Sequence, residues 1–331
     1  MGMGAMLTAS DILSPVNPRQ LKYFLRIAEL RSFTKAAAIL HIAQPALSRQ
    51  IQQLEDDLGV RLFVRSDSGV SLTEAGEILC TRASSLLRHF ANVRDEVGAL
   101  SDSVRGKLQF GMPPSLFDLA TMPLLLAMRE NYPLVQPSVI EGISSAIYEL
   151  VQVGRLDFGV VVSTESMLGL HHRELIREQL FLARPVGDGP ASQEPVSLAE
   201  VAAQPLLLTQ SSNTLRAILD DAVRQQGLSF NTLLEANSTR VLTALVAAGV
   251  GCSVLTYSAL ANDVAAGRLT AVPITGLSVT WTLVHSRERA LSLAARKLVE
   301  LLLEVTALAA ADGRWPGMTL LQPSGMDPIP I

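Results

Sequence analysis

Gln44, Ser48 and Arg49 are the residues whose types and spacing suggest the clearest chemistry. Positions 44 and 48 are four apart, so a helix would place them on one face, with Arg49 beside them. Glutamine and arginine side chains can form paired hydrogen bonds with adenine and guanine edges in the major groove of DNA. An ordinary helical hairpin with a polar outer face would show the same spacing, so the flanking segments have to decide between the two interpretations.

A second group of candidates consists of hydroxyl side chains near the predicted starts of helices that follow strands. Helix N-termini attract anions, and ligands of open α/β sheets bind beyond the strand ends. Such residues could therefore bind a small carboxylate, although capping of the following helix explains each hydroxyl individually. The candidate ligand-binding residues at these helix starts are Ser115 with its neighbour Pro114, Ser144, Ser145, Thr209, Ser211 and Ser212, and Ser163 is a further candidate where the chain leaves one half of the sheet.

Catalysis is the chemistry that the sequence supports least. The five histidines show neither a metal-binding spacing nor a nearby nucleophile in an elbow motif, and His171 and His172 fall in a charged segment that predicts a solvated loop. Cys80 and Cys252 lie too far apart for a zinc motif or a disulfide framework, and Cys252 is expected to be a buried structural thiol. We therefore expect no catalytic residue, no metal and no cofactor.

Composition and charge point to a folded protein with one DNA-facing part. The chain has 331 residues, of which 48% are hydrophobic and 18% charged, enough for two or three domains. The net charge is −4, yet residues 17–73 carry eight basic and five acidic side chains, so this part is +3 and the remainder −7. No signal peptide or membrane span is expected, and the two cysteines favour a reducing, cytoplasmic location.

Residues 17–73 have the pattern of a winged helix-turn-helix, which would position Gln44 and Arg49. Ser32 is a suitable N-cap for a second helix, residues 41–43 form a turn, and Gly59 ends the third helix. Two short strand patterns follow, and Arg65 at the start of this wing could reach a phosphate or the minor groove.

A long helix is predicted after Thr73, with an apolar seam whose steps alternate between four and three residues. Such a seam favours pairing with the same helix of a second copy, because DNA-reading modules of this kind bind paired half-sites. Packing of the helix on its own domain remains the alternative. The seam positions are Leu79, Ala83, Leu86, Phe90, Val93, Val97 and Leu100.

Beyond a polar hinge, strand and helix patterns alternate, which indicates an open α/β sheet in two linked halves. The overall fold class is therefore α+β, and the predicted division of the chain follows these patterns. We expect a flexible extension at 1–16, the winged helix-turn-helix at 17–73, a linker helix and hinge at 74–105, a ligand-binding domain at 106–311 (one subdomain at about 106–178 plus 280–311, the other at about 179–279) and a loose tail at 312–331.

Residues 18–76 closely resemble the DNA-binding domain of LysR-type transcriptional regulators, and a weaker resemblance extends over most of the chain. The matching motifs are Leu21-Lys-Tyr-Phe24, Ser32-Phe-Thr-Lys-Ala-Ala37, Gln44-Pro-Ala-Leu-Ser-Arg-Gln-Ile51, Leu54-Glu55, Leu58-Gly59, Leu62-Phe63, Arg65 and Leu72-Thr-Glu-Ala-Gly76. Two positions depart from the family pattern: Ala43 stands where a capping serine or threonine is common, and Thr256 stands where proline is usual.

The resemblance implies a periplasmic-binding-protein-like effector domain, promoter DNA and a small-molecule effector as partners, and homodimers that pair into tetramers, with RNA polymerase as a further possible partner. The expected DNA-contacting residues are Ser32, Thr34, Gln44, Pro45, Ser48, Arg49, Gln52 and Arg65. A ligand-independent architectural or repressor DNA-binding protein is the alternative function, which a domain of some 200 residues with a cleft disfavours.

Overall fold

The computed structural model describes residues 16–66, 69–98, 104–163, 169–187, 194–287 and 289–321. Contacts divide the chain after Gly98 into an N-terminal and a C-terminal unit, and the short segment Val153–Arg155 groups with the first.

The N-terminal unit is the predicted winged helix-turn-helix followed by one long helix. Its elements are α1 Pro18–Leu30, α2 Phe33–Leu40, α3 Gln44–Leu58, β1 Phe63–Ser66, β2 Gly69–Leu72 and α4 Glu74–Gly98. Ser32 caps α2 through the Lys35 N–H, as predicted, and Thr73 accepts the Gly76 N–H at the start of α4. Gly59 ends α3 in the left-handed conformation, with φ of 68°, which a residue without a Cβ adopts at little cost.

An aromatic and aliphatic core holds these elements together. Leu47, Ile51 and Leu54 bury the back of α3, and each such side chain contributes about 1.5–3 kcal/mol by leaving water. The Phe63 ring of the wing packs against Phe24 and Phe33, with centroid distances of 5.1 and 5.7 Å. The wing is therefore fixed to the helices by side-chain packing as well as by its own two strands.

The C-terminal unit is built on one mixed sheet. Along the sheet the strands run β4, β3, β5, β10, β6, β9, β7, β8, and β11 pairs separately with β6. Parallel pairs at the two ends flank the central antiparallel pair β6 and β10. The strands are β3 Gly106–Met112, β4 Val135–Glu141, β5 Phe158–Val162, β6 Leu170–Pro185, β7 Pro205–Leu208, β8 Asn231–Glu235, β9 Cys252–Thr256, β10 Leu269–Ser286 and β11 Met318–Leu320.

The helices of this unit follow the strands in the alternation that the sequence predicted. After β3 the chain makes a 3₁₀ turn, Pro114–Leu116, and a π turn, Phe117–Thr121, before the first regular helix begins. The helices are α5 Met122–Asn131, α6 Ser144–Gln152, α7 Leu198–Ala202, α8 Thr214–Gln225, α9 Thr239–Ala247, α10 Tyr257–Ala265 and α11 Leu293–Ala311.

The two central strands are much longer than predicted. We expected a strand only at 180–185, but β6 begins at Leu170, so the prediction of a solvated loop at His171 and His172 is wrong. The charged residues at the start of this segment, such as Arg173 and Glu174, are half-buried or exposed, whereas Leu180 to Ala183 near its end are buried. Likewise the two short strands predicted at 269–272 and 279–284 are one strand, β10, with a register shift between Pro273 and Ser278.

The beginning of the C-terminal tail is packed, contrary to the expectation of a loose segment from 312 onward. Trp315 is buried, and β11 pairs antiparallel with β6 from Met318 to Leu320. The prolines near the end of the chain predict a loose segment, and a single tryptophan gives no local sign that it is buried. The part of the tail from 322 to 331 lies outside the described residues.

Candidate DNA-binding surface and ligand cleft

The exposed side of α3 carries the residues that the sequence predicted to read DNA. Gln44, Pro45, Arg49 and Gln52 are exposed, and Ser48 is half-buried. Gln44 and Ser48 share a hydrogen bond of 3.3 Å, so the two side chains lie together on the same face. Among the residues that the structure describes, Arg49 has no carboxylate partner. Its guanidinium is therefore available to bind an outside acceptor.

A buried carboxylate fixes α3 relative to the wing. Glu55 accepts the backbone N–H groups of Leu62 and Phe63 at 2.8 and 3.2 Å, and the Arg61 guanidinium at 2.7 Å. The contact to Arg61 raises the pKa of that guanidinium. Glu55 on α3 thus accepts hydrogen bonds from residues at the start of the wing, and these bonds fix the position of the wing relative to α3.

Arg65 and the start of α2 lie beside each other. The Arg65 guanidinium carbon stands 4.2 Å from the centroid of the Phe33 ring, a cation–π contact that holds the side chain against α2. Thr34 is exposed, whereas the hydroxyl of Ser32 is used to cap the helix at 3.3 Å from the Lys35 nitrogen. The Ser32 oxygen acts there as an acceptor, so its O–H proton remains available as a donor.

The C-terminal unit contains a cavity of about 70 Å³ at the ends of several strands. Its described lining contains hydroxyl, amide and apolar groups and no charged side chain. The lining residues are Pro113, Pro114, Ser115, Gly142, Ile143, Ser144, Val162, Thr209, Asn213, Leu215, Asn237, Thr239, Leu255, Thr256, Ala259, Val279 and Trp281.

Four helices begin at residues of this lining. Ser144 and Thr239 are the first residues of α6 and α9, and Asn213 and Thr256 precede the first residues of α8 and α10. Helix N-termini carry positive partial charge and so favour negative charge in the cavity without any cationic side chain. At three of them one N–H is already bound by a side chain, Leu215 to Asn213, Val241 to Ser238 and Ser258 to Glu178. Thr209 is only 6% exposed, and its hydroxyl has no hydrogen-bond partner among the described residues. A buried, unpartnered hydroxyl in a cavity is a place for a ligand atom to bind.

Two family models match the chain, one in each unit. Residues 18–77 match the model of the bacterial regulatory helix-turn-helix proteins of the lysR family, and residues 101–307 match the LysR substrate binding domain. The chain belongs to the LysR family. The nitrogen assimilation regulatory protein nac of Klebsiella aerogenes is 33% identical over 302 residues, covering 90% of this chain and 98% of that protein. The HTH-type transcriptional regulator BbuR of Bordetella bronchiseptica is 32% identical, covering 92% and 94%.

Full-length LysR-type regulators of known structure share this fold. A full-length OxyR variant from Pseudomonas aeruginosa gives a TM-score of 0.70 at 22% identity, covering 93% of this chain and 99% of that one. Full-length CbnR complexed with its target DNA gives 0.64 at 23% identity, covering 88% and 100%. Together with the family match, the names of the relatives confirm the prediction of a non-enzymatic, DNA-binding transcriptional regulator of the LysR type.

Half of the predicted effector residues lie together in the cavity of this LysR-type unit: Pro114, Ser115, Ser144 and Thr209. The other half, Ser145, Ser163, Ser211 and Ser212, are not part of its lining. The Ser144 hydroxyl accepts the Val162 N–H at 2.9 Å and so bridges α6 and β5. Sequence reasoning missed Asn213, Asn237, Thr239 and Thr256, although three of them stand at helix starts and carry a capping-type side chain.

The predicted seam of the linker helix, α4, contains positions that are packed within the N-terminal unit and positions that are exposed. Ala83 is buried and Leu79 packs against the core of its own unit, so the alternative of internal packing holds for these two. Leu86 and Phe90 are 46% and 55% exposed and available to a partner. The side chains of Val93 and Val97, and all of Leu100, lie outside the described residues.

The remaining chemical candidates carry no site. Burial raises the pKa of both thiols, Cys80 and Cys252, which keeps them protonated and weakly nucleophilic. In the described part of the chain, no three histidine, cysteine or carboxylate side chains are grouped as a metal site would require. No helix there combines the length and apolar character needed to cross a membrane.

Proposed function

We propose that this LysR-type regulator reads promoter DNA with the exposed side of α3 and changes transcription when a small anion binds in the C-terminal cavity. The observation that carries the first half is the exposed, unpaired Arg49 beside Gln44 and Ser48 on a helix whose back is buried. Pro45 and Gln52 complete this contact surface, and Arg65 with the start of α2, at Ser32 and Thr34, would contact the DNA backbone.

The anionic class of the effector follows from the electrostatics of the cavity. Four helix N-termini favour negative charge there, and the described lining holds no carboxylate that would oppose it. Ser115, Ser144 and Thr209 offer hydroxyl groups to a carboxylate or a similar group. A cavity of about 70 Å³ limits the ligand to a small molecule unless the two halves of the sheet separate.

The active form in this proposal is an oligomer. Pairing of two α4 helices would cover Leu86 and Phe90 and place two α3 helices on paired half-sites. A tetramer needs a second surface, and exposed leucines at both ends of the sheet, Leu126 and Leu134 at one and Leu233 at the other, supply candidates. Such an assembly acts where the promoter and RNA polymerase are, which in a bacterial cell is the cytoplasm.

A DNA footprint tests both halves together. The DNA upstream of the chain's own gene is footprinted with the full-length protein, with and without a panel of small acids, amines and neutral metabolites. We expect a protected region whose extent changes with one of the acids, and a neutral or cationic compound acting best would contradict the anion. Thr209→Val should abolish the response while preserving shape, whereas Ser211→Ala, outside the cavity lining, should retain it.

A ligand-independent architectural or repressor protein is the second candidate function. It predicts the same footprint with every compound of the panel. The unpartnered Thr209 hydroxyl disfavours this second function. A buried polar group without a hydrogen-bond partner costs about 1–3 kcal/mol of stability, and a protein without a ligand would never satisfy it.

A further inference from the structure

Behind the cavity wall lies one fully buried carboxylate, Glu178, which the proposed function does not use. One of its oxygens accepts the backbone N–H of Ser258 and the indole N–H of Trp315, both at 2.7 Å. The other accepts the indole N–H of Trp281 at 2.6 Å and lies 3.0 Å from the Ser258 hydroxyl. Glu178 thereby joins β6, β10, the start of α10 and the C-terminal segment at a single point.

The surroundings of Glu178 fit an ionised carboxylate. Burial raises the pKa of its carboxyl, and the hydrogen bonds from Trp281, Ser258 and Trp315 oppose that rise. The three N–H contacts can only donate, and at 2.6–2.7 Å they are as short as charge-assisted bonds. The N-terminus of α10, which supplies the Ser258 N–H, adds a favourable positive potential.

An ionised Glu178 determines the direction of the next hydrogen bonds. The Ser258 hydroxyl lies 3.0 Å from both the carboxylate and the Thr256 hydroxyl, yet it has one proton. That proton goes to the carboxylate, because a charged acceptor makes the stronger bond. The 3.0 Å contact between the two hydroxyls is then a hydrogen bond only with Thr256 as its donor, and in that arrangement the Thr256 oxygen presents only lone pairs.

The Thr256 hydroxyl does not cap α10, because Glu178 accepts the N–H that the hydroxyl would otherwise accept. A threonine before a helix ordinarily accepts the N–H of the second or third helical residue. Here Thr256 makes no such bond, and Glu178 takes the N–H of Ser258, the second residue of α10. Thr256 lines the cavity, and no further partner of its hydroxyl is present among the described residues.

We propose that the relay from Glu178 through Ser258 makes Thr256 a fixed hydrogen-bond acceptor in the effector cavity. The effector is then an anion that also carries an O–H donor, such as a hydroxy acid, and its oxo analogue is rejected. This inference rests on the proposed anion-binding function of the same cavity and narrows its ligand class. Thr256 stands where the family resemblance leads one to expect proline, which would offer no hydroxyl.

Matched probes of equal charge, which carry either a hydroxyl or an oxo group at one carbon, test the relay. Calorimetric titrations of the full-length protein compare lactate with pyruvate, and malate with oxaloacetate. We expect the best donor-bearing probe to bind about tenfold or more tightly than its oxo partner, because the oxo group leaves the Thr256 oxygen without a donor. Wild-type protein that binds the oxo partner equally well would overturn the proposal.

Three variants separate the relay from simple loss of a contact. Thr256→Ser keeps the hydroxyl and should keep the preference, whereas Thr256→Val should lose it. Ser258→Ala releases the Thr256 proton, so Thr256 can donate to an oxo group and the preference should fall towards unity. As a control, Ser115→Ala, in the lining but outside the relay, should weaken both members of a pair alike. A full preference in Ser258→Ala would refute the relay.

A ligand-free measurement distinguishes this inference from the anion proposal. If none of the probes binds, the result counts against the proposal that a small anion binds in the cavity. The relay is then tested by measuring whether Glu178 is ionised. The chain has two tryptophans, and both indoles donate to Glu178, so nitrogen-15 labelling of tryptophan reports directly on the carboxylate. Glu178→Gln, whose amide is neutral, provides the reference signals for an uncharged partner. Indole signals that stay constant between about pH 6 and 8 and differ clearly from those of Glu178→Gln support an ionised Glu178, whereas signals like those of Glu178→Gln count against it. Signals that titrate in this range show a proton on the carboxyl, which would reverse the relay and defeat the inference.

Discussion

Replacement of Arg49 by alanine gives the sharpest test of the DNA-binding surface. Arg49 is exposed and has no carboxylate partner among the described residues, so its loss should leave the free energy of unfolding within about 0.5 kcal/mol of the wild type. A bidentate contact between arginine and a guanine edge contributes about 1–3 kcal/mol, which corresponds to a loss of about 5- to 150-fold in affinity per half-site. If a dimer engages two half-sites, the loss is about 2–6 kcal/mol.

Gel-shift titrations at fixed salt with the footprinted DNA and an unrelated DNA measure this loss. Specific affinity should fall more than non-specific affinity, because Arg49→Ala removes a base contact in addition to one positive charge, and the loss of charge acts alike on both DNAs. Arg26→Ala is the matched control, since it removes the same charge from α1, where Arg26 is paired with Glu29 at 2.7 Å. Wild-type affinity of Arg49→Ala for the specific site, or an equal loss on both DNAs, would refute this role of α3.

Three further predictions concern assembly and stability. Phe90→Asp should shift sedimentation towards the monomer, because it places a charge on an exposed seam position, and an unchanged mass would contradict the seam. Ala43→Ser should raise the unfolding free energy in urea by about 0.5–2 kcal/mol, since α3 lacks a side-chain cap. The pKa of His285 is lowered by burial first and then by the charge of His171. The unfolded chain therefore binds a proton more readily than the folded one, and the free energy of unfolding should decrease as the pH drops below about 6.5. This decrease should be smaller in His285→Leu.

Most of the N-terminal unit could be predicted because its signals are local. Ser32 and Gly59 mark helix ends by their own side-chain and backbone chemistry, and each acts directly on the helix it bounds. Asn17, which caps α1, escaped prediction although it is an ordinary capping residue. The cation–π contact between Arg65 and Phe33 could not be foreseen, since it depends on how the wing packs against α2.

The C-terminal unit was less predictable because its site is assembled from distant segments. The start of β6 contains charged residues and resembles a loop until the antiparallel partner β10 is known. The cavity joins helix starts that lie far apart in the chain, from Ser144 to Thr256. Capping explains each of these residues separately, and only the topology of the sheet shows that they meet.

The two departures from the family pattern occupy equivalent places at the two functional surfaces. Ala43 and Thr256 each precede the first residue of a helix, and neither makes a side-chain capping bond. At α10 the buried Glu178 accepts the Ser258 N–H, so the hydroxyl of Thr256 is not needed as a cap and can face a ligand. At α3 the described residues supply no side-chain substitute, but Pro45 has no N–H, and Ala46 and Leu47 donate to the Ala43 carbonyl. The Gln44 N–H is therefore the first-turn donor left to water or, in the proposed complex, to a DNA phosphate. The side-chain cap that α3 lacks lowers stability in the free protein, and bound DNA could satisfy this one donor.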